Sequence, residues 1–598
     1  MMDNKYKNRQ LITRRTFCIG VGKIGLVFVL VGRMFYMQFL KKNEYKTLSD
    51  KNRIKTVLLS APRGYILDQN GNKIVQNKTC FRLLLDKNIS SHFNEELDFI
   101  IQLLELDADQ QKEVKRRVKN TGRRIAGLVI DSMSWRQVST IEERKSKIQS
   151  FFIDTGFKRN YLYSESAAHL VGYLGKPSKD SAGNIELAGE YFKVGKTGLE
   201  YFYEQNLRGE FGVRRIEVNA HGRYVRDLSK SMIVPGQDLK LNINMNIQAK
   251  AYEYLPPNGC SATMMDCDTG GMIIYTCTPS YDPNEFYKLS SRYWRSLMNN
   301  PYKPLIDKCS KSLYPPGSIF KIMVFLAALE DGIGQNTKIF CTGRPELGGN
   351  SFRCARRSGH GSLNMRQAIK SSCNSYVYAL ARKIGPGKII NMAKRFGFGQ
   401  LTGIDLPGEK PGFLPSPEWK KKKYKQKWTL GDTLNLSIGQ GFMIVTPLQI
   451  TRMVAAVANG GKLLTPQIVQ QEVKFTQIDI DLKHLDFMRH AMHDVINKPG
   501  GTGYWSKINH NGQTMAAKTG TAQVMAKKNA GDDLNRLTIN WNNRNHAIFT
   551  GFAPFKSPKY ALTIYYDHGG GGGSKAAPIA KKIMLDSLRA DQKFTPNI

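Results

Sequence analysis

Acidic residues are scarce in this chain: 49 Asp and Glu stand against 88 Lys and Arg over 598 residues, a net charge of +39. That excess draws polyanions, whether nucleic acid, anionic lipid headgroups or acidic cell-wall glycans. Zinc-finger spacing is missing, and so is any basic motif interleaved with aromatics, so no nucleic-acid partner is expected. There is no internal repeat and no long low-complexity segment, which removes repeat arrays and extended tails. A compact cysteine framework is also lacking. Nine cysteines (Cys18, Cys80, Cys260, Cys267, Cys277, Cys309, Cys341, Cys354 and Cys373) are an odd, scattered set, unlike a disulfide-stapled domain. What is present is ordinary globular composition, 41% hydrophobic and 23% charged, at a length that suggests two or three domains.

The densest apolar run lies at 17–40, around Ile24-Gly25-Leu26-Val27-Phe28-Val29-Leu30-Val31. Lys5, Lys7, Arg9, Arg14 and Arg15 precede it. Its length suits one spanning helix of roughly 20 residues. Lys23 and Arg33 interrupt it; either can snorkel, and Arg33 can meet a partner helix within the membrane. A cleaved signal would end in small residues, whereas this run ends Met37-Gln38-Phe39-Leu40-Lys41-Lys42. Thr13-Arg14-Arg15-Thr16-Phe17 touches the twin-arginine export pattern and leaves that route open. The reading is a cytoplasmic tail at 1–16, an uncleaved transmembrane anchor at 17–40, and the rest of the chain outside.

Residues 43–250 alternate strand-like runs (56–59, 81–85) with amphipathic helix candidates, the best at 96–106 and 134–148. They predict an α+β pedestal that holds a second domain off the membrane. Pro235-Gly236-Gln237-Asp238 ends that module, followed by a strand at 239–243 and a short helix at 247–254. The second domain, 255–590, opens with a hairpin (262–266, the turn Asp268-Thr269-Gly270-Gly271, then 272–275) and closes with strands at 547–552 and 560–566. Helices at 318–329 and 446–458 lie between, the latter with Gly460 near its C-cap. Strands at both ends predict a sheet assembled from both termini of the domain. Lys420 to Lys423, with Lys425 and Lys427, form a basic run whose plain reading is a solvated surface loop.

Three short motifs carry chemistry. In Pro315-Pro316-Gly317-Ser318-Ile319-Phe320-Lys321, Ser318 falls at a helix N-terminus, where free N–H groups gather, and Lys321 follows one turn on. A serine needs a base to become a nucleophile, and a buried lysine with a depressed pKa can be that base. No other Ser-x-x-Lys occurs in the chain. Ser372-Cys373-Asn374 offers a hydroxyl that can relay a proton and an amide that can hold a substrate backbone; Ser362-Leu363-Asn364 has the same pattern but does not lead into an apolar helix. In Lys518-Thr519-Gly520-Thr521, the glycine admits a substrate backbone and the Lys and Thr groups suit a carboxylate. Lys196-Thr197-Gly198 repeats the tripeptide, and Gly195-Lys196-Thr197 hints at a phosphate loop, which Glu190 rules out where that motif needs Gly.

In this order the motifs resemble the signature of penicillin-binding proteins and serine β-lactamases. Arg63-Gly64-Tyr65-Ile66-Leu67-Asp68 resembles the opening of a class B pedestal, with Gln69 departing from the usual Arg. Gly195-Lys196-Thr197-Gly198-Leu199-Glu200 resembles a second pedestal motif. Tyr314 before the Pro-Pro-Gly turn resembles the elongation-type version of the first motif, Ile438-Gly439-Gln440-Gly441 and Thr446-Pro447-Leu448-Gln449 resemble further transpeptidase-domain signatures, and His568 with Gly569 to Gly573 and Ser574-Lys575-Ala576-Ala577 resembles the C-terminal end of the alphaproteobacterial penicillin-binding protein 2 group. The resemblance implies a membrane anchor, a pedestal (dimerisation-like) domain and an α/β transpeptidase domain with an antiparallel sheet flanked by helices. It implies a serine D-Ala-D-Ala transpeptidase/carboxypeptidase of the bacterial inner membrane, periplasmic in its catalytic part. That enzyme cross-links peptidoglycan stem peptides during elongation and shape maintenance, and β-lactams acylate it. Ser318 would be the nucleophile and Lys321 its base. Ser372, Asn374 and Lys518 would complete the catalytic set, with Thr519, Gly520 and Thr521 binding substrate. A multi-pass glycan polymerase of the shape, elongation, division and sporulation family would be the partner. Division-type enzymes, β-lactamases, β-lactam sensors and a silent scaffold for a polymerase are the competing readings.

Cys341, Cys354, His360 and Cys373 lie between the first motif and the end of the second. Three thiolates and one imidazole are a tetrahedral zinc set, and the resembled group includes members with zinc here. A Cys341–Cys354 disulfide or free thiols are the alternatives. Zinc would be structural, since four protein ligands leave no open position.

Overall fold

The computed structural model describes residues 14–40, 54–59, 61–87, 89–121, 127–177, 193–218, 224–344, 346–347, 350–524 and 540–594. Residues 1–13 of the expected cytoplasmic tail lie outside them. A helix, Arg14–Phe35, continues as a π-turn, Tyr36–Leu40. Its stretch Phe17–Phe39 has 23 residues and mean hydropathy 1.9, long and apolar enough to cross a membrane, with none of its apolar window buried.

The chain divides into two compact units: 1–61, 79–157 and 210–234 in one, 62–78, 158–209 and 235–598 in the other. The division does not follow the sequence boundary near residue 250. Parts of the N-terminal module (62–78 and 158–209) pack into the same unit as the C-terminal domain.

In the first unit, strand residues from Phe81 to Leu85 pair antiparallel with Gly127–Met133. Helices Phe93–Leu103, Ala108–Asn120 and Trp135–Glu143 place Leu97, Ile100, Val114, Val138 and Ile141 in one apolar core. Asp107 and Ser134 cap the last two helices with reciprocal side-chain bonds from Gln110 and Gln137. A separate three-stranded sheet runs Ile54–Leu59, Gly212–Val218, Tyr224–Lys230.

The second unit is organised by a five-stranded antiparallel sheet in the order Met272–Thr278, Cys260–Asp266, Tyr560–Tyr566, His546–Ala553, Ala516–Ala522. Strands from both ends of the domain do form it, as the sequence predicts. Almost every residue of these strands is buried, because helices cover both faces. The helix Pro447–Ala458 is wholly buried, with Asn459 as C-cap and Gly460 beyond it in the left-handed conformation. Lys321–Glu330 packs beside Asn374–Arg395, which kinks at Gly385-Pro386.

The basic run is only partly a loop: Lys425 and Lys427 lie in one, but Lys420 to Lys423 do not. Pro417–Tyr424 is a helix, capped by Ser416 with Pro417 in its first turn, and Lys420 is buried against Asp432. The lysine count hid the cap.

The two pedestal-like stretches meet inside this unit. Glu200, fully buried, accepts from Arg63 (Nη2, 2.8 Å) and Arg159 (Nε, 2.6 Å), and Arg63 also reaches Glu204 (2.7 Å). Burial alone would raise the Glu200 carboxyl; Arg159 and Arg63 outweigh it and hold it below the usual range. A depressed carboxylate stabilises above its unfolded pKa and loses that contribution as pH falls through the folded one. Glu200→Ala leaves two buried guanidinium groups short of a partner. It is expected to cost about 3–5 kcal/mol, measured by denaturant unfolding at pH 7.

Candidate active site

The Pro-Pro-Gly turn delays the α-helix. Ser318 lies in a single 3-10 turn, Gly317–Ile319, and the α-helix starts at Lys321 rather than at Ser318. Gly317 has φ +54°, which breaks helical continuity before the serine. Its N–H donates to the Gly439 carbonyl (3.0 Å). A Cβ at Gly439 would lie 2.3 Å from the Gly317 oxygen, so only glycine lets that segment support the turn. Ser318 remains partly exposed, whereas Lys321 is 1% exposed.

Ser372 occupies the left-handed conformation (φ +54°) between the end of Met365–Lys370 and the start of Asn374–Arg395. That costs a non-glycine residue of order 1 kcal/mol or more and persists only when its surroundings dictate it. Here they do. The Ser372 hydroxyl lies 3.2 Å from Lys321 Nζ and 2.8 Å from Lys518 Nζ. Lys321 Nζ also donates to the Ser372 carbonyl (2.8 Å) and to Asn374 Oδ1 (2.6 Å). The second and third motifs thus meet the first through one oxygen. The duplicate motifs do not: Ser362 is on a strand with Phe340, Asn364 caps a helix, and Thr197 precedes the short helix Gly198–Phe202.

Burial lowers the Lys321 amine to about 8. Burial, then the neighbouring Lys321 charge, pushes Lys518 well below its ordinary value. Two amines that resist charging, joined by a hydroxyl, can accept and pass protons near neutral pH.

The third motif lies on the sheet-edge strand Ala516–Ala522, facing the Ser318 turn. The Thr521 carbonyl lies 3.0 Å from where a Gly317 Cβ would be, and Ile319 packs on Gly520. Lys518 turns inward to Ser372 and to its neighbour's carbonyl, Thr519 O (2.9 Å). The Thr519 and Thr502 hydroxyls share a hydrogen bond (2.6 Å), and Gly572 N–H donates to Thr521 Oγ1 (3.3 Å). Asn374 spends its amide within the protein, on Lys321 and the Arg353 carbonyl.

Sequence reasoning missed the support for the turn. Tyr314 OH donates to Asp567 (2.9 Å), Tyr314 stacks on Tyr565 (4.2 Å), and Tyr565 OH donates to the Pro315 carbonyl (3.1 Å). Thr502 and Asp567 sit in no motif, so only tertiary pairing reveals them.

Directly behind Ser372 and Asn374, the ligand atoms of Cys341, Cys354, His360 and Cys373 all lie within 4.8 Å of one another. Regular tetrahedral zinc, with Zn–S of about 2.3 Å and Zn–N of about 2.0–2.1 Å, sets S···S near 3.8 Å and S···N near 3.5 Å. The observed separations are 3.8 Å for Cys354–Cys373, 3.5 Å for Cys354–His360 Nδ1 and 3.6 Å for Cys341–His360 Nδ1. Cys373 and backbone N–H groups donate to Cys354 and hold its thiol low. These three separations match that geometry, the remaining ligand atoms lie within 4.8 Å of one another, and no Cys341–Cys354 disulfide is formed.

A partly exposed serine, a buried amine one turn on and a hydroxyl bridging two amines define an active-serine acyltransferase. The penicillin binding protein transpeptidase domain family matches residues 260–585, and the penicillin-binding protein dimerisation domain family matches 58–241. The peptidoglycan D,D-transpeptidase MrdA of Haemophilus influenzae is 31% identical over 97% of this chain and 92% of its own length. MrdA of Acinetobacter baumannii is 32% identical over 98% and 88%. The Helicobacter pylori penicillin-binding protein (PBP2), solved in complex with MreC, aligns with TM-score 0.80 at 28% identity, covering 90% of this chain and 99% of that one. The chain belongs to the penicillin-binding proteins, in the class B, elongation-type penicillin-binding protein 2 group.

Proposed function

We propose that this protein is the peptidoglycan D,D-transpeptidase of cell elongation, anchored by Phe17–Phe39 in the bacterial inner membrane with its catalytic domain in the periplasm. The observation that carries the mechanism is the Ser372 hydroxyl held between Lys321 and Lys518. Lys321 takes the proton as Ser318 Oγ attacks the penultimate D-Ala carbonyl of a stem peptide. The backbone N–H groups of Ser318 and Thr521 receive the oxyanion. D-Ala leaves as the amine, with the proton returned from Lys321 through Ser372. An amine of a neighbouring stem peptide then attacks the ester, and Ser318 regains its proton. Thr519 and Thr521 hold the terminal carboxylate on the strand, beside the amine of Lys518. Incubation with a fluorescent penicillin is expected to label the protein, and peptide mass mapping to put the adduct on the Ser318 peptide. An unlabelled protein overturns the enzyme reading in favour of a scaffold.

The polymerase partner is a multi-pass membrane enzyme of the shape, elongation, division and sporulation family. The Helicobacter pylori relative, solved with MreC, supports a place in an elongation assembly.

Zinc belongs in the Cys341, Cys354, His360, Cys373 cluster. The ion would fix the loop carrying Ser372 and Asn374 and take no part in proton transfer. Metal analysis of the full chain, purified without chelators, is expected to find about one zinc per chain, and its removal to lower the thermal unfolding midpoint. Less than ~0.2 equivalents overturns this assignment.

A further inference from the structure

The basic helix Pro417–Tyr424 has no role in the chemistry above. Lys420 is buried against Asp432, which sits in the first turn of the helix Leu430–Ser437. That pairing fixes the orientation of its neighbours: Lys421, Lys422, Lys423, Lys425 and Lys427 are all exposed. None of the five has an ion-pair partner among the described residues. Only Glu418 opposes them on this helix.

The same segment carries aromatic rings. Trp419 lies 4.6 Å from Phe413, 5.5 Å from Tyr424 and 5.1 Å from Phe442, and Tyr424 stacks on Phe442 at 5.4 Å. Tyr424 and Phe442 remain 43% and 36% exposed. Lys423 Nζ stands 5.4 Å from the Trp419 ring, which holds its charge at the edge of the aromatic patch. An ordered, half-exposed aromatic cluster bordered by unpaired cations is built for a ligand with flat apolar faces and negative charges.

Position selects the ligand. Phe442 is three residues from Gly439, whose carbonyl holds the Gly317 N–H beside Ser318. Three residues reach at most about 11 Å, whereas an extended five-residue stem spans about 17 Å. This surface is therefore within reach of the glycan and neighbouring stems of a peptidoglycan strand whose stem enters the Ser318 cleft. Stem peptides carry free carboxylates, and sugars present flat C–H faces.

Resting on the transpeptidase reading, we propose that the Pro417–Tyr424 helix and Phe442 form a docking platform for the anionic glycan–peptide strand. Its lysines meet stem carboxylates and its rings meet sugars.

The test uses the full chain in neutral-lipid nanodiscs and isolated, uncross-linked glycan strands bearing pentapeptide stems. Wild-type affinity should weaken as salt rises. K421Q/K422Q/K423Q should bind strands at least tenfold more weakly, K421R/K422R/K423R should retain wild-type affinity, and Tyr424→Ala should lose at least threefold. A triple Gln variant that binds strands like wild type overturns the platform. So does one that keeps strand binding but loses binding to phosphatidylglycerol vesicles, which would assign the lysines to a membrane surface. Penicillin labelling of the wild type in the same preparation tests the acyl-enzyme reading separately. If it stays unlabelled that reading fails, while strand affinity still decides the platform.

Discussion

Ser318→Ala is expected to abolish the penicillin adduct completely while leaving the protein folded. Intact mass should show one added penicillin on the wild type and none on the variant, and stem-peptide cross-linking should fall by about 10⁶-fold, the scale of losing a nucleophilic serine. The fold should tolerate the change, because the turn is held by other groups: the Gly317 N–H on Gly439, the Pro315 carbonyl on Tyr565, and Ile319 on Gly520. An adduct of the same mass on the variant would move the nucleophile elsewhere.

Lys321→Met should be nearly as severe. Methionine preserves much of the volume of this buried side chain but carries no amine. General-base catalysis contributes about 10²–10⁴-fold, and the acylation rate should drop by that factor. Lys518, 2.8 Å from Ser372, sits on the sheet-edge strand and not one turn along from Ser318, so it is expected to replace Lys321 poorly. In the wild type, the base works when neutral. With the Lys321 amine brought down to about 8 by burial, acylation should climb as pH rises through 8. Stopped-flow acylation between pH 6 and 10 reads this limb. A rate independent of pH across that range, or one that survives in the methionine variant, counts against Lys321 as the base.

The three motifs were legible because each combines a reactive residue type with a local backbone device: a Pro-Pro-Gly turn, a helix start, a glycine on a strand. Chain order then made them one site. The sheet was legible in the same way, through apolar runs at both ends of the domain. What could not be read was the identity of the groups each side chain would touch. Asn374 holds Lys321 and the Arg353 carbonyl, and Thr519 shares its proton with Thr502, pairings between segments that no spacing encodes. The Lys420–Lys423 run misled for a related reason. Charge suggested a solvated loop, but Ser416 and Pro417 start a helix, and burying Lys420 is feasible only because Asp432 waits for it. The packing of 62–78 against 158–209 was equally hidden, since it rests on Arg63 finding Glu200 far along the chain.

The sheet imposes an order on synthesis. Cys260–Asp266 pairs with Tyr560–Tyr566, about 300 residues later, and the strand bearing Lys518 joins through His546–Ala553. While the polypeptide is still being synthesised, the segments bearing Ser318 and Ser372 are already present, yet no strand exists to bring Lys518 to them. A nascent chain therefore lacks the assembled Ser318, Ser372 and Lys518 site until His546–Ala553 and Tyr560–Tyr566 have been made, and a stop codon shortly before His546 would leave the first two strands with a bare edge.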